Sequence, residues 1–207
     1  MILPDPNKQF KRNIINERIP INANIFLTNK CNFKCLHCYV QSQKNIDANA
    51  LEIGRWKRIV DVLKEKGCIS ITFSGGEVLA SDKFVELYKY AYDLNFCISL
   101  LTNISLLSEE HLKVFVRRKP QEIIITLYGT SNDTYSQFCG IQRGWEIVRD
   151  NILRLKSENI NVKIQTVVNK INFNELKDMK KFADTNKISF TAFRCIFRKE
   201  SPPFTVD

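Results

Sequence analysis

The chain reads as an α/β protein, a partial (βα)6 TIM-like barrel of parallel strands left open on one side. Three observations predict it. Six short apolar or β-branched runs recur, amphipathic stretches alternate with them, and the 207 residues stop soon after the sixth run. A complete eight-stranded barrel takes about 250 residues.

The strand-like runs are INANIFLT (21–28), CISITFS (68–74), FCISLLT (96–102), EIIITLY (122–128), NVKIQTVV (161–168) and ISFTAFR (188–194). Between them, apolar residues at three- and four-residue spacing predict helices over Ile53–Lys66, Lys83–Leu94, Glu109–Val116, Trp145–Glu158 and Asn174–Thr185. Ser108 before Glu109 and Glu110, and Asn174 before Glu175, mark helix starts, and Gly67 marks a C-cap. Strand and helix alternating in this way call for right-handed crossovers and parallel pairing. Residues 1–20 then form an N-terminal extension, 21–195 the barrel, and 196–207 a tail whose Pro202 and Pro203 bar an immediate helix.

Composition narrows the function. Hydrophobic residues make up 44% and charged residues 26%, and no apolar run is long enough to span a membrane. Pro4, Pro6 and several charges occupy the place where a signal peptide needs an apolar core, so the sequence reads as cytoplasmic. Seven cysteines in such a chain argue for metal rather than disulfides. Cys68, Cys97, Cys139 and Cys195 are scattered, and Cys68 and Cys97 read as buried structural thiols. The net charge of +9 is spread over short basic groups with no aromatic platform between them. That makes nucleic-acid binding the weaker reading and solvated helix faces the stronger, while still suiting an acidic electron carrier or acidic peptide.

The remaining three cysteines follow the first strand as Cys31-x-x-x-Cys35-x-x-Cys38. Three thiolates at these offsets can hold three of the four irons of one cluster and leave the fourth bare. A passive electron carrier would normally supply a fourth thiolate, which weighs against an iron–sulfur electron-transfer module. A closed zinc site would need His37 beside Cys38, and adjacent residues seldom converge on one tetrahedral ion. His111, the second histidine, reads as a partly exposed helix residue. After the second strand comes Ser74-Gly75-Gly76-Glu77, where paired glycines let another group approach the main chain and Glu77 adds a carboxylate. If both loops follow parallel neighbouring strands, they face each other at the C-terminal end of the barrel.

This pairing of motifs resembles the radical S-adenosylmethionine (SAM) superfamily. The wording from Thr28 to Tyr39, with Thr102-Asn103 and Thr126-Leu127-Tyr128-Gly129, is similar to its peptide-maturing branch with SPASM or twitch extensions. No cysteine-rich extension follows the barrel here. Val78 and Ile104 stand where that branch usually has proline and glycine. The resemblance implies a [4Fe–4S] cluster on Cys31, Cys35 and Cys38 and a SAM molecule chelating the open iron. It places Gly75, Gly76 and Glu77 at the cofactor's ammonium group, His37 and Tyr39 near its adenine, and Asn103, Thr126, Thr166 and Asn169 among the polar groups around it. It also implies reductive cleavage to a 5′-deoxyadenosyl radical, hydrogen abstraction from a substrate such as a peptide, and flavodoxin or ferredoxin as electron donor. A truncated or inactive barrel is the alternative within the same family.

Overall fold

Valine, isoleucine and phenylalanine favour the pleated, half-buried surface of a sheet, and the six runs form six strands. The computed structural model describes residues 19–38, 40 and 51–194. Residues 1–18, Tyr39, Cys195 and the tail lie outside the described residues. The strands are β1 (Asn22–Phe26), β2 (Ser70–Ser74), β3 (Cys97–Thr102), β4 (Glu122–Thr126), β5 (Val162–Val168) and β6 (Ser189–Arg194). They form one sheet in sequential order, and every neighbouring pair is parallel. Right-handed crossovers then put the described helices that connect the strands on one side of the sheet.

Those helices are α1 (Ile53–Glu65), α2 (Phe84–Asp93), α3 (Glu109–Arg117), α4 (Asn132–Cys139), α5 (Gly144–Ser157) and α6 (Leu176–Thr185). A 3₁₀ turn at Phe173–Glu175 precedes α6, so the expected start at Asn174 falls inside that turn. The helix α4 is an addition to the five expected from spacing. Its ends are punctuated by local chemistry: the Ser131 side chain accepts from Thr134 N–H, and Gly140 takes φ 68° as a left-handed cap. No helix among the described residues is long and apolar enough to cross a membrane.

One face of the sheet carries Ile25, Ile71, Phe73, Ile98, Leu100, Ile123, Ile125, Val162 and Ile164, all buried in one core with the helices. Phe73, Phe84, Tyr88 and Phe115 pack in that core at ring separations of 5.5–6.4 Å. The opposite, concave face differs. Register aligns Asn24, Thr72, Ser99 and Glu122 across β1–β4, and Thr126, Gln165 and Thr191 across β4–β6. These side chains are exposed or half-buried, and Lys163 pairs with Glu122 at 2.5 Å. Half-buried Leu101, Ile124 and Val167 lie between these polar rows, so the inner wall is mixed and partly open, where a closed barrel would be filled with branched apolar side chains.

Two expectations are corrected, one by strand parity and one by helix capping. Cys97 was expected to be buried, but it starts β3 on the concave side and is exposed, while Cys68 is buried with its thiol 3.3 Å from the Ser70 carbonyl. Cys97 should therefore be alkylated rapidly by a maleimide in the folded, cluster-free protein, and Cys68 only after unfolding; peptide mass mapping reads the order. The other correction is His111, expected to be partly exposed. It is buried as the third residue of a capping box: its N–H donates to the Ser108 hydroxyl, and its Nδ1 accepts from Ser108 N–H. Burial holds its pKa below the ordinary histidine value.

Candidate functional site

The parallel arrangement brings the loop after β1 and the turn after β2 to the same edge of the sheet. Leu27 N–H donates to the Ser74 carbonyl, Gly76 N–H to Thr28 (2.7 Å) and Glu77 N–H to Lys30 (2.8 Å). The two glycines are dictated by this approach. A Cβ on Gly75 would sit 2.3 Å from the Thr28 oxygen, and one on Gly76 would sit 2.5 Å from the Lys30 oxygen. Gly75 also has φ +147°, which other residues rarely adopt. The turn thus receives the main chain of the cysteine loop on one side and lines the site with the other.

The cysteine loop is held from behind as well. Lys34 N–H donates to the Cys139 carbonyl and Leu36 N–H to that of Phe138, so the end of α4 supports it. Phe33 is buried edge-on against Tyr135 at 6.2 Å. The unforeseen helix is therefore the back wall of the site.

Cys31, Cys35, Cys38 and His37 line one cavity of about 280 Å³ together with Ser74, Gly75 and Gly76. Its remaining wall includes Asn103, Thr126, Tyr128, Gln165 and Val167. No three Cys, His, Asp or Glu side chains among the described residues are gathered tightly enough to grip a single ion. The three thiols instead stand around a space, an arrangement that suits a cluster offering a separate iron to each thiolate. Buried His37 Nδ1 has no hydrogen-bond partner, and its ring packs on Phe138 and Tyr128 at 5.0 and 5.6 Å. An aromatic ring with an unused polar nitrogen on the wall of a cavity suits a heteroaromatic ligand.

The thiols differ electrostatically. Burial pushes Cys31 up to about 11, so metal must displace a proton there. Cys35 is held below the ordinary thiol value by a hydrogen bond from Cys139, with burial opposing and Tyr128 adding a second side-chain bond. Cys139 is raised in turn. Sequence reasoning missed Cys139 and Tyr128 as neighbours of the cluster loop; the available signal was the apolar pair Phe138-Cys139 before a capping glycine.

Four expected positions need restatement. Glu77 is fully buried beneath the glycine turn instead of facing the cavity. Its carboxylate accepts from Leu79 N–H (3.0 Å), the Thr102 hydroxyl (2.6 Å) and Asn103 N–H (2.7 Å), locking the tip of β2 to that of β3. Burial raises its pKa, and the three donors counter that. Thr166 faces the helix layer: it pairs with Ala192 and is buried, while Gln165, paired with Thr126 and Thr191, turns to the cavity. Asn169 spends its side chain within its own turn, accepting from Ile171 and Asn172 N–H. Tyr39 is outside the described residues. Ile104, where glycine was expected, takes φ 59°, so the backbone keeps the conformation a glycine would favour.

Replacing Glu77 by glutamine turns one acceptor oxygen into an amide that meets a fixed N–H donor. The expected cost is about 1.5–3 kcal/mol, seen as a lower urea midpoint for the cluster-free protein. An unchanged midpoint would show that the bracing is not what holds β2 and β3 together.

Comparison with known proteins shows the family and the fold. The chain belongs to the radical SAM superfamily, whose model matches residues 25–183. Over 86 residues it is 38% identical to an S-adenosylmethionine-dependent nucleotide dehydratase of Selenomonas ruminantium, covering 41% of this chain and 30% of that one. Over 162 residues it is 26% identical to the antilisterial bacteriocin subtilosin biosynthesis protein AlbA of Bacillus subtilis, covering 78% and 36%. The chain thus spans about a third of the length of these relatives. In fold it is similar to SuiB of Streptococcus suis, solved bound to precursor peptide SuiA, with TM-score 0.74 at 18% identity over 92% of this chain and 45% of that one. Members of the superfamily use a [4Fe–4S] cluster and SAM.

Proposed function

We propose that this chain is the cofactor-cleaving barrel of a radical SAM enzyme, with Cys31, Cys35 and Cys38 as the cluster ligands. One observation carries the reading: three thiols and the main chain of a Gly-Gly turn share a single cavity at one edge of a parallel sheet. When bound, the cluster and SAM supply a 5′-deoxyadenosyl radical that abstracts hydrogen from the substrate. The chain's own part is binding and exclusion. Ser74, Gly75 and Gly76 offer main-chain acceptors to an ammonium group, His37 and Tyr128 offer aromatic surface, and Thr126 with Gln165 offers hydroxyl and amide groups. Phe33 and the end of α4 close the back of the cysteine loop against water.

The substrate class we assign is a peptide, reached across the open concave face. AlbA is named for bacteriocin biosynthesis and SuiB is solved with its precursor peptide, which supports that choice. A cytoplasmic setting and an acidic flavodoxin or ferredoxin as electron donor fit the basic chain. Lys30 and Lys34 are exposed on either side of Cys31, in place to meet such a carrier.

The test is anaerobic reconstitution, reduction and assay for 5′-deoxyadenosine from SAM. Slow release without substrate is expected. Carrier-driven release should fall between about 20 and 300 mM salt as screening shortens. Stoichiometric zinc and no iron in protein purified without oxygen would defeat the reading. A flat salt response, unaltered by charge reversal at Lys30 and Lys34, would remove the docking assignment alone.

A further inference from the structure

Beside Cys31 stands a closed ring of polar side chains from two different loops. Asn103, at the tip of β3, accepts through Oδ1 from Ser105 N–H (2.9 Å) and from the Ser105 hydroxyl (2.7 Å). Its Nδ2 lies 3.1 Å from Asn32 Oδ1 and 3.8 Å from Cys31 Sγ. Asn32 Nδ2 closes the ring by donating to the Ser105 oxygen at 2.8 Å.

The orientation of the Asn103 amide is decided by chemistry. A backbone N–H can only donate, so the face of the amide toward Ser105 must be its oxygen. The nitrogen is left facing Asn32 and the cysteine sulfur. Rotation of the residue is blocked from the other side, because Asn103 N–H is bonded to buried Glu77 and Thr102 Oγ1 accepts from Ile104 N–H. Phe33 N–H reaches the same sulfur at 3.4 Å, from within the cysteine loop. Among the described residues, Asn103 reaches it from outside that loop, 72 residues away in sequence.

We infer that Asn103, braced by Ser105 and Asn32, is a positioning residue that donates an amide N–H to the Cys31 sulfur and thereby tunes the reduction potential of the cluster held there. The inference rests on the cluster reading above. Reduction adds negative charge to the cluster, and a hydrogen bond to a ligand sulfur stabilises the reduced form preferentially, so each such bond raises the potential. The ring also makes that potential sensitive to the β3 loop: a shift of Ser105 would turn the amide away from the sulfur without touching any ligand.

The experiment is an EPR-monitored redox titration of anaerobically reconstituted wild type, Asn103→Leu and Ser105→Ala. Leucine keeps the volume and removes the donor. Alanine at 105 keeps both asparagines and removes the hydroxyl that joins them. A more negative midpoint is expected for both, larger for Asn103→Leu, with iron content at the wild-type value. Should Asn103→Leu fail to hold iron, Asn103→Ala, which also removes the donor, takes its place: a negative shift supports the inference and an unchanged midpoint overturns it. Unchanged midpoints in both variants also overturn it. Failure of the wild type to assemble any cluster would instead refute the reading of the site.

Discussion

Alanine at Cys31, Cys35 or Cys38 abolishes cluster assembly, while alanine at Cys68, Cys97 or Cys139 leaves it in place: this is the largest effect expected. Wild type should hold about four irons and four sulfides per chain after anaerobic reconstitution. Each of the three variants should hold close to none, because two thiolates cannot retain the cluster against solvent. The contrast with Cys139 carries the information. That thiol is buried behind the cysteine loop, at the residue whose carbonyl receives Lys34 N–H, so a scrambled or opportunistic ligand set would recruit it first. Iron retained in Cys35→Ala but lost in the double variant with Cys139→Ala would show such recruitment and refute the assigned ligand set.

The second large effect is expected from Gly76→Ala. The new methyl would lie 2.5 Å from the Lys30 oxygen and 2.7 Å from the Asn29 oxygen, both main-chain atoms with little room to yield. Overpacking of this kind typically costs about 1–3 kcal/mol. Here the strain falls on the bonds joining the glycine turn to the cysteine loop, so the loop itself must move. Iron retention should drop together with the urea midpoint. Gly54→Ala provides the control, since a Cβ there meets nothing within 4 Å and alanine favours the helix. Equal iron and equal stability in Gly76→Ala and wild type would mean that the two loops are not packed as described.

The six strands and the cysteine loop were legible because each is written locally, in β-branched runs and in three thiols within eight residues. What escaped depends on partners far along the chain. Glu77 looked like a ligand because its neighbours are glycines, yet its burial is decided by Thr102 and Asn103, 25 and 26 residues later. The parity of β5 was within reach: Val162, Ile164 and Val168 form the apolar phase, so Thr166 belongs with them on the covered side and Gln165 faces the cavity. The helix α4 was hidden because its polar first turn masks the alternation of Tyr135, Phe138 and Cys139, and its ends are marked only by Ser131 and Gly140.

The two faces of the sheet divide labour between them. Ile71, Phe73, Ile98, Leu100, Ile123 and Ile125 fasten the strands to the helices, so the sheet draws most of its apolar burial from the outer face. Thr72, Ser99 and Thr191, which lie outside the lining of the cysteine cavity, contribute little to that burial. Substitution along these rows can reshape what the concave surface accepts while the scaffold and the cysteine loop stay as they are. Selection for a new substrate can therefore act on the inner wall without first having to rescue a destabilised fold.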